Sequence, residues 1–225
     1  MSITAVLLTE LVALQTLALQ ISVPLDRHRP ADLAASTLRR KAGSLRSRLP
    51  VILTNLALLV TATALTLPWV EPWLDRAWPG VPMLLAQAAV LLLVDDAWFY
   101  GLHRAMHSSK LLYRLHRMHH EAYAPVPAEA IYAHPGEVTL VMIGPALGMA
   151  VIAALIGPVS SAAFVGAMTW KLVHELDLHS GLNTVLGLPF SAPVAHHDLH
   201  HRRPNDGNYG STTVLWDTVW GTRVG

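Results

Sequence analysis

Residues 51–70 read VILTNLALLVTATALTLPWV, twenty consecutive positions without a charge. A helix of roughly 20 apolar residues crosses about 30 Å of hydrocarbon, so this stretch predicts a membrane-spanning helix. On its N-terminal side, residues 3–25 form a second apolar run whose only charge is Glu10. That run has no basic start and no obvious small-residue cleavage site, so it reads as a retained helix and not a signal peptide. On the C-terminal side, residues 81–94 are uncharged, and the apolar character continues through Ala97, Trp98, Phe99 and Tyr100. This third run reaches spanning length if Asp95 and Asp96 sit inside the bundle or at its edge. Residues 138–173 are apolar again, interrupted by Gly144-Pro145 and Gly157-Pro158, which suits a helical hairpin turning near Gly157. The alternative for this region, two buried helices of a soluble core, is the weaker reading because the rest of the chain has too little polar surface to cover them. The expected fold class is all-α, a multi-pass integral membrane helical bundle.

Composition agrees. Of 225 residues, 52% are hydrophobic and 14% charged, where a soluble domain carries about 25% charged residues. The net charge of +1 gives no basic field for nucleic acid. The absence of cysteine excludes disulfides, thiolate zinc sites, iron–sulfur clusters and thiolate-held haem.

Charge also orients the bundle. The segment 24–50 holds Arg27, Arg29, Arg39, Arg40, Lys41, Arg46 and Arg48 against Asp26 and Asp32, and short basic loops stay on the cytoplasmic side. The loop 71–80, with Trp69, Trp73 and Trp78 as interface anchors, would face the other side. The third helix then delivers residues 103–137 to the cytoplasm, and the hairpin returns residues 176–225 to the same face. The expected organisation is residues 1–94 as N-terminal transmembrane helices and a basic loop. Residues 95–225 would form a second unit, a cytoplasmic histidine-rich helical cap plus the transmembrane hairpin 138–173.

Twelve of the thirteen histidines follow residue 100. His28, in the basic loop, reads as solvated. The first cluster is His103-Arg-Ala-Met-His107, whose i, i+4 spacing puts both imidazoles on one helical face. The second is His116-Arg-Met-His119-His120, and the third, His196-His197-Asp-Leu-His200-His201, repeats its spacing from His197. His134, His174 and His179 stand singly. One such pair is often incidental. Three clusters at one membrane face are not, because packing many imidazoles together without a metal leaves lone pairs unpartnered and any protonated rings repelling. One metal takes about four to six ligands, so roughly ten histidines indicate two metals. No H-E-x-x-H, G-x-S-x-G or phosphate loop occurs.

The order H-x-x-x-H, H-x-x-H-H, H-P-x-E, H-S-G and H-H-x-x-H-H resembles the fatty acid hydroxylase superfamily of membrane di-iron enzymes, which includes sterol desaturases. The likeness covers about residues 95–222 and is nearest to the C-4 methylsterol monooxygenases and cholesterol 25-hydroxylase. It runs through Trp98–His107, His116–Glu121, Glu129-Ala130, Tyr132–Pro135, Asp177–Gly181, His196–His201, Asn208-Tyr209 and Trp216-Asp217. The resemblance implies two iron ions that activate O2 as co-substrate to hydroxylate a C–H bond of a lipid, sterol-like or acyl. Carried over by motif, the ligands would be His103, His107, His116, His119, His120, His179, His197, His200 and His201, with His134 as a tenth. His196 falls where some relatives have a non-ligand, and His174 where the C-4 oxidases have a carboxylate; both are candidates for ligation or for the surrounding hydrogen-bond shell.

Asp96, seven residues before His103 on the same helical face, is expected to accept a hydrogen bond from a ligand imidazole. Glu137 and Asp198 are further candidates for that task. Electrons must come from a separate donor of cytochrome b5, ferredoxin or reductase type, since the chain has no cluster cysteines and no dinucleotide fingerprint. The basic residues Arg104, Lys110, Arg114, Arg117, Arg202 and Arg203 would contact either lipid phosphate or that donor. Zinc could replace iron in purified protein, because histidine-only sites accept both. The competing readings are a desaturase on the same metals, a membrane metal transporter and a zinc hydrolase. Arginine outnumbers lysine thirteen to three, which favours a bacterial inner membrane over the endoplasmic reticulum.

Overall fold

The computed structural model describes residues 2–27, 44–181 and 192–225. The expected basic segment with His28, Arg29, Asp32, Arg39, Arg40 and Lys41 lies outside them. Helix α1 runs Ile3–Arg27 and α2 Leu45–Val70, followed by a 3-10 turn, Glu71–Trp73, and the two-residue strand β1, Leu74–Asp75. Pro82 sits in the first turn of α3, Val81–Ser108, where its missing N–H costs nothing. Helix α4, Lys110–His116, leads into 3-10 turns at His119–Glu121 and Pro127–Ile131. Then come α5 (Pro135–Val141), α6 (Ile143–Leu155), β2 (Val159–Ser160), α7 (Ser161–Leu178), α8 (Val194–Arg202) and α9 (Leu215–Val219).

Among the described residues, four helical stretches are long and apolar enough to cross a membrane: Ile3–Asp26, Leu45–Trp73, Val81–Ser108 and Pro135–Leu155. The protein is an all-α integral membrane bundle. Large side chains on these helices face outward, Leu65 at 65% exposure and Leu85 at 60%, a surface suited to lipid and not to water.

Hydrogen bonds show which ends lie together. β1 pairs in parallel with β2, Leu74 opposite Val159 and Asp75 opposite Ser160. The Gln87 amide donates to the Pro158 carbonyl (3.0 Å) and accepts from Ser160 N–H (2.7 Å). Glu71 accepts from the N–H of Ile3 (3.1 Å) and the hydroxyl of Thr4 (2.9 Å). The start of α1, the end of α2, the start of α3 and the α6–α7 turn therefore share one end. The exposed Trp69, Trp73 and Trp78 form an aromatic belt there. The clusters after residue 100 lie at the other end, where Leu45 N–H meets Asp26 (3.3 Å).

The segment 121–133 is strapped onto α1 and α2 at that end. Arg48, counted among the basic loop residues in the sequence, is instead buried, its guanidinium paired with Glu129 and donating to the Glu121 carbonyl (2.6 Å). The Asn55 amide donates to the carbonyls of Ile131 (2.8 Å) and Ala133 (2.7 Å), and Ala128 N–H donates to Ser22 (2.9 Å).

Helix α6 lies close against α3 because Gly144 and Gly148, four apart, present no side chain. A Cβ at Gly148 would stand 3.1 Å from the Leu91 Cα, and one at Gly144 2.3 Å from Asp95 Oδ1. Small residues at this spacing let membrane helices meet backbone to backbone. Replacing Gly148→Val should cost about 1–3 kcal/mol through overpacking. Thermal unfolding in detergent would measure it, and an unchanged Tm would mean that α3 and α6 are not in contact.

Candidate metal centre

The last two turns of α3 carry His103 and His107. Ser109 ends α3 and caps α4, its hydroxyl accepting from Leu112 N–H (3.4 Å), and the chain doubles back so that His116, at the end of α4, returns to His103. Helix α4 stops there, so His116 and His120 do not share one regular helix as their spacing predicts; His119 and His120 lie on the following 3-10 turn. His179 caps the end of α7, and His197, His200 and His201 project from α8.

These nine residues form two groups able to hold a metal ion. His103, His107, His116, His120 and His200 make one, and His119, His179, His197 and His201 the other, the ligand atoms of each lying within 4.8 Å of one another. The groups abut: ring centroids are 5.0 Å apart for His120 and His201 and 5.4 Å for His116 and His119. Both H-x-x-H-H motifs are divided between the groups. In the first, His116 and His120 go to one group and His119 to the other; in the second, His197 and His201 go to one and His200 to the other.

The orientation of the rings shows what the groups are built for. A neutral imidazole has one donor nitrogen and one acceptor. Nδ1–H of His103, His119, His179 and His200 donates to the carbonyls of Tyr209 (2.7 Å), Tyr132 (3.2 Å), Glu175 (2.7 Å) and Gly207 (2.8 Å). His116 Nδ1–H donates to the Glu137 carboxylate (2.7 Å). Nε2 of each of these five is left with a lone pair, and two such pairs face each other directly, His103 with His116 and His119 with His179 (3.4 Å). The Nε2 separations are 2.9 Å for His103 and His116, 2.8 Å for His116 and His120, 3.1 Å for His107 and His120, 3.0 Å for His179 and His197, and 3.1 Å for His197 and His201.

Lone pairs with no proton between them repel, and a cation removes the repulsion. Nitrogen ligands about 2.1 Å from a metal and at right angles stand about 3.0 Å apart. The donor set fits a pair of borderline transition metals such as iron or zinc. Burial keeps the rings neutral: it holds His116 and His119 down at about 3 and His179 at about 4. His120, His197, His200 and His201 are pushed well down by burial and then by neighbouring imidazoles.

A cavity of about 510 Å³ opens onto both groups. His103 and His116 of one and His119, His179 and His197 of the other line it, together with apolar residues of α1, α2, α6 and α7.

The remaining sequence candidates lie elsewhere. His134 belongs to neither group; its Nδ1 caps α5, accepting from Gly136 N–H (3.0 Å). His196 bonds through Nε2 to Asp217 (3.1 Å), and His174 donates to the Ser211 carbonyl (3.1 Å) while stacked on Trp170. Asp96 touches no imidazole in these contacts. Its carboxylate accepts from Thr212 N–H (3.1 Å) and the Thr213 hydroxyl (2.6 Å) and so anchors the C-terminal segment to α3. Glu137 is the carboxylate on a ligand-group imidazole, and Asp198 pairs with Arg202 (2.8 Å).

Sequence reasoning missed Asp217 as an organiser. It is fully buried and accepts from the N–H groups of Tyr209 (2.9 Å) and Gly210 (2.7 Å) and the hydroxyl of Thr222 (2.7 Å). That fixes the turn whose Tyr209 carbonyl holds His103. A side chain at Gly210 would meet the Thr213 carbonyl at 2.5 Å. The Trp216-Asp217 and Asn208-Tyr209 segments of the family resemblance were the available signal.

Comparison with known proteins matches residues 88–222 to the family model for fatty acid hydroxylase. Methylsterol monooxygenase 1 of Rattus norvegicus is 34% identical over 154 residues, 65% of this chain and 50% of its own length. Its Danio rerio counterpart is 36% identical over 149 residues, 64% of this chain and 49% of its own. Methylsterol monooxygenase erg25A of Aspergillus fumigatus is 36% identical over 154 residues, 65% of this chain and 50% of its own. The chain thus spans about half the length of these curated relatives. No solved structure matches.

Two outcomes follow from the geometry. Purified protein should hold about two metal ions per chain, and the double substitution His197→Ala/His201→Ala, which halves the four-histidine group, about one; elemental analysis decides, and a count unchanged by the substitutions would refute the two-group assignment. Unfolded imidazoles take up protons near 6.5, whereas the buried rings do so only near 3–4. The unfolded chain therefore binds more protons in that window, and metal-free protein should lose stability as pH falls through it. The Tm of chelated protein between about pH 7 and about pH 4 tests this, with a pH-independent Tm contradicting it.

Proposed function

Because the chain belongs to the fatty acid hydroxylase family, we propose that it is a membrane di-iron oxygenase that hydroxylates a C–H bond of a sterol-like or acyl lipid with O2 and externally supplied electrons. The observation that carries this reading is the convergence of imidazole Nε2 atoms from two groups on the wall of one largely apolar cavity. An unactivated C–H bond offers no proton that a side chain could remove, so the chemistry calls for a metal-based oxidant. Iron held by His103, His107, His116, His120 and His200 and by His119, His179, His197 and His201 would supply that oxidising power.

The chain's own residues do the rest. The carbonyls of Tyr132, Glu175, Gly207 and Tyr209 hold the rings in register by accepting their Nδ1 protons. The Glu137 carboxyl does the same for His116, an outer hydrogen bond of the kind that orients a metal ligand and raises its basicity. The apolar walls of α1, α2, α6 and α7 keep bulk water from the lipid chain lying against the centre. A volume of about 510 Å³ is in the range of pockets that enclose a small ligand. The methylsterol monooxygenases among the relatives favour a sterol-like substrate.

The histidine end is assigned to the cytoplasm. Arg46, Arg104, Lys110, Arg114, Arg117, Arg202 and Arg203 are exposed there, whereas the opposite loop pairs Arg76 with Glu71. Basic residues stay inside. In that setting, a bacterial inner membrane by preference from the arginine-rich composition, with the endoplasmic reticulum as the alternative, this basic rim faces lipid phosphate and an electron donor carried by another protein.

Cells expressing the protein and fed candidate sterols and fatty acids should contain a lipid with one added oxygen, detected by mass spectrometry. A product lacking two hydrogens would instead indicate desaturation. Glu137→Gln should lower turnover about 10–100-fold with a parallel loss of metal; full turnover and metal content in that variant would remove the role given to Glu137.

A further inference from the structure

Away from the metal groups the cavity is largely apolar, and the face of α7 is the exception that carries charge. His179, Glu175 and Lys171 line it from a single face of α7, four residues apart. With a rise of 1.5 Å per residue, Glu175 lies about 6 Å and Lys171 about 12 Å from the level of His179. On α3, Asp95 lies as far from His103 as Lys171 does from His179, and the two partners are ion-paired. Asp95 is the one hydrogen-bond partner of Lys171 among the described residues, and an ammonium has three donors.

Helix α1 brings a third polar group to this level. It packs on α7 and runs in the same direction, and Glu10 accepts from the Thr169 hydroxyl (2.7 Å). Five residues further along α1 stands Gln15, which falls between the levels of Lys171 and Glu175. Gln15 lines the cavity, is 3% exposed, and leaves its Oε1 without a hydrogen-bond partner among the described residues. A buried amide oxygen with no partner is a defect unless a ligand supplies the donor.

The geometry points to a subsite for the hydroxyl group of a lipid alcohol, formed by Gln15, Lys171 and Glu175, one to two helical turns from the metal groups. A hydroxyl offers one donor and accepts through its lone pairs. It accepts a hydrogen bond from Lys171 and donates its own to Gln15 Oε1 or to Glu175. A lipid carboxylate does not fit, because Asp95 and Glu175 already set two negative charges beside the one ammonium. A hydrocarbon end leaves the Gln15 oxygen buried and unpaired. The subsite fixes how far the oxidised carbon lies from the hydroxyl, and so which C–H bond meets the metals. It rests on the oxygenase reading for its purpose but not for its existence.

Binding tests it without turnover. The metal-loaded full chain in detergent micelles is titrated with cholestanol against cholestane and with hexadecanol against hexadecane and hexadecanoic acid, read by native mass spectrometry. At least one alcohol should bind about tenfold or more tightly than its hydrocarbon, and the pair showing it identifies a rigid sterol or a flexible chain as the body. Gln15→Leu should bring that preference below about threefold while hydrocarbon binding holds. Lys171→Met strands the buried Asp95 and can unfold the chain, so it is paired with Asp95→Asn, and the double variant should lose the preference as well. Equal binding of alcohol and hydrocarbon, preference for the acid, or a Gln15→Leu variant that keeps the alcohol preference would overturn the subsite. If the alcohol preference is present and no lipid is ever oxidised, the subsite stands and the oxygenase reading falls. If a lipid is oxidised and no alcohol preference is found, the oxygenase reading stands and the subsite falls.

Discussion

Crowded imidazole lone pairs are the constraint to which the rest of the molecule answers. Nine rings converge with ring nitrogens at separations near 3 Å, and the five whose Nδ1 protons are held by outside acceptors have only lone pairs to turn inward. The arrangement needs cations at its centre and acceptors at its periphery. Four of the peripheral acceptors are backbone carbonyls, so the rings are only as well placed as the loops behind them. This explains two burials of polar groups at the histidine end. A buried arginine and a buried asparagine of α2 fasten the segment that contains Tyr132. A fully buried aspartate, Asp217, fixes the turn that contains Tyr209.

The membrane helices contribute more than an anchor. α3 and α7 run from the strand-bearing end to the histidine end, where α3 delivers His103 and His107 to one metal group and α7 delivers His179 to the other. Gly144 and Gly148 draw α6 onto α3, while α1 and α2 complete the other wall of the cavity. Charge between α3 and α7 is tolerated because it is paired, as Lys171 is with Asp95. A buried pair of this kind is poor evidence for stability, since removing both charges is often neutral. Its position beside the cavity is a reason to ask what it recognises.

How much was legible in advance varies by residue. The four long apolar helices among the described residues could be read from apolar runs with few charges, and the all-α membrane class with them. The three histidine clusters were visible because ligand spacing is local: His103 and His107 fall on one face of any helix. At other positions the structure shows contacts that local reasoning does not reach. Asp96 shares a face with His103, yet its carboxylate serves Thr212 and Thr213, residues more than a hundred positions away. His134 caps its own helix, a role that the sequence His-Pro-Gly-Glu permits but does not announce. Arg48 looked like one charge of a solvated basic loop, and only the approach of Glu129 makes it a buried strap.

The sequence by itself determined that this chain lives in a membrane, that it gathers histidine for metal, and which family it resembles, because hydrophobic length and i, i+3 and i, i+4 spacing are properties of neighbouring residues. Only the tertiary structure decided how each H-x-x-H-H motif is divided between two groups, which carboxylate and carbonyls hold the rings, and which polar side chains reach the cavity. Those depend on the approach of distant backbone segments, and a peptide carbonyl carries no mark in the sequence of which imidazole it will meet.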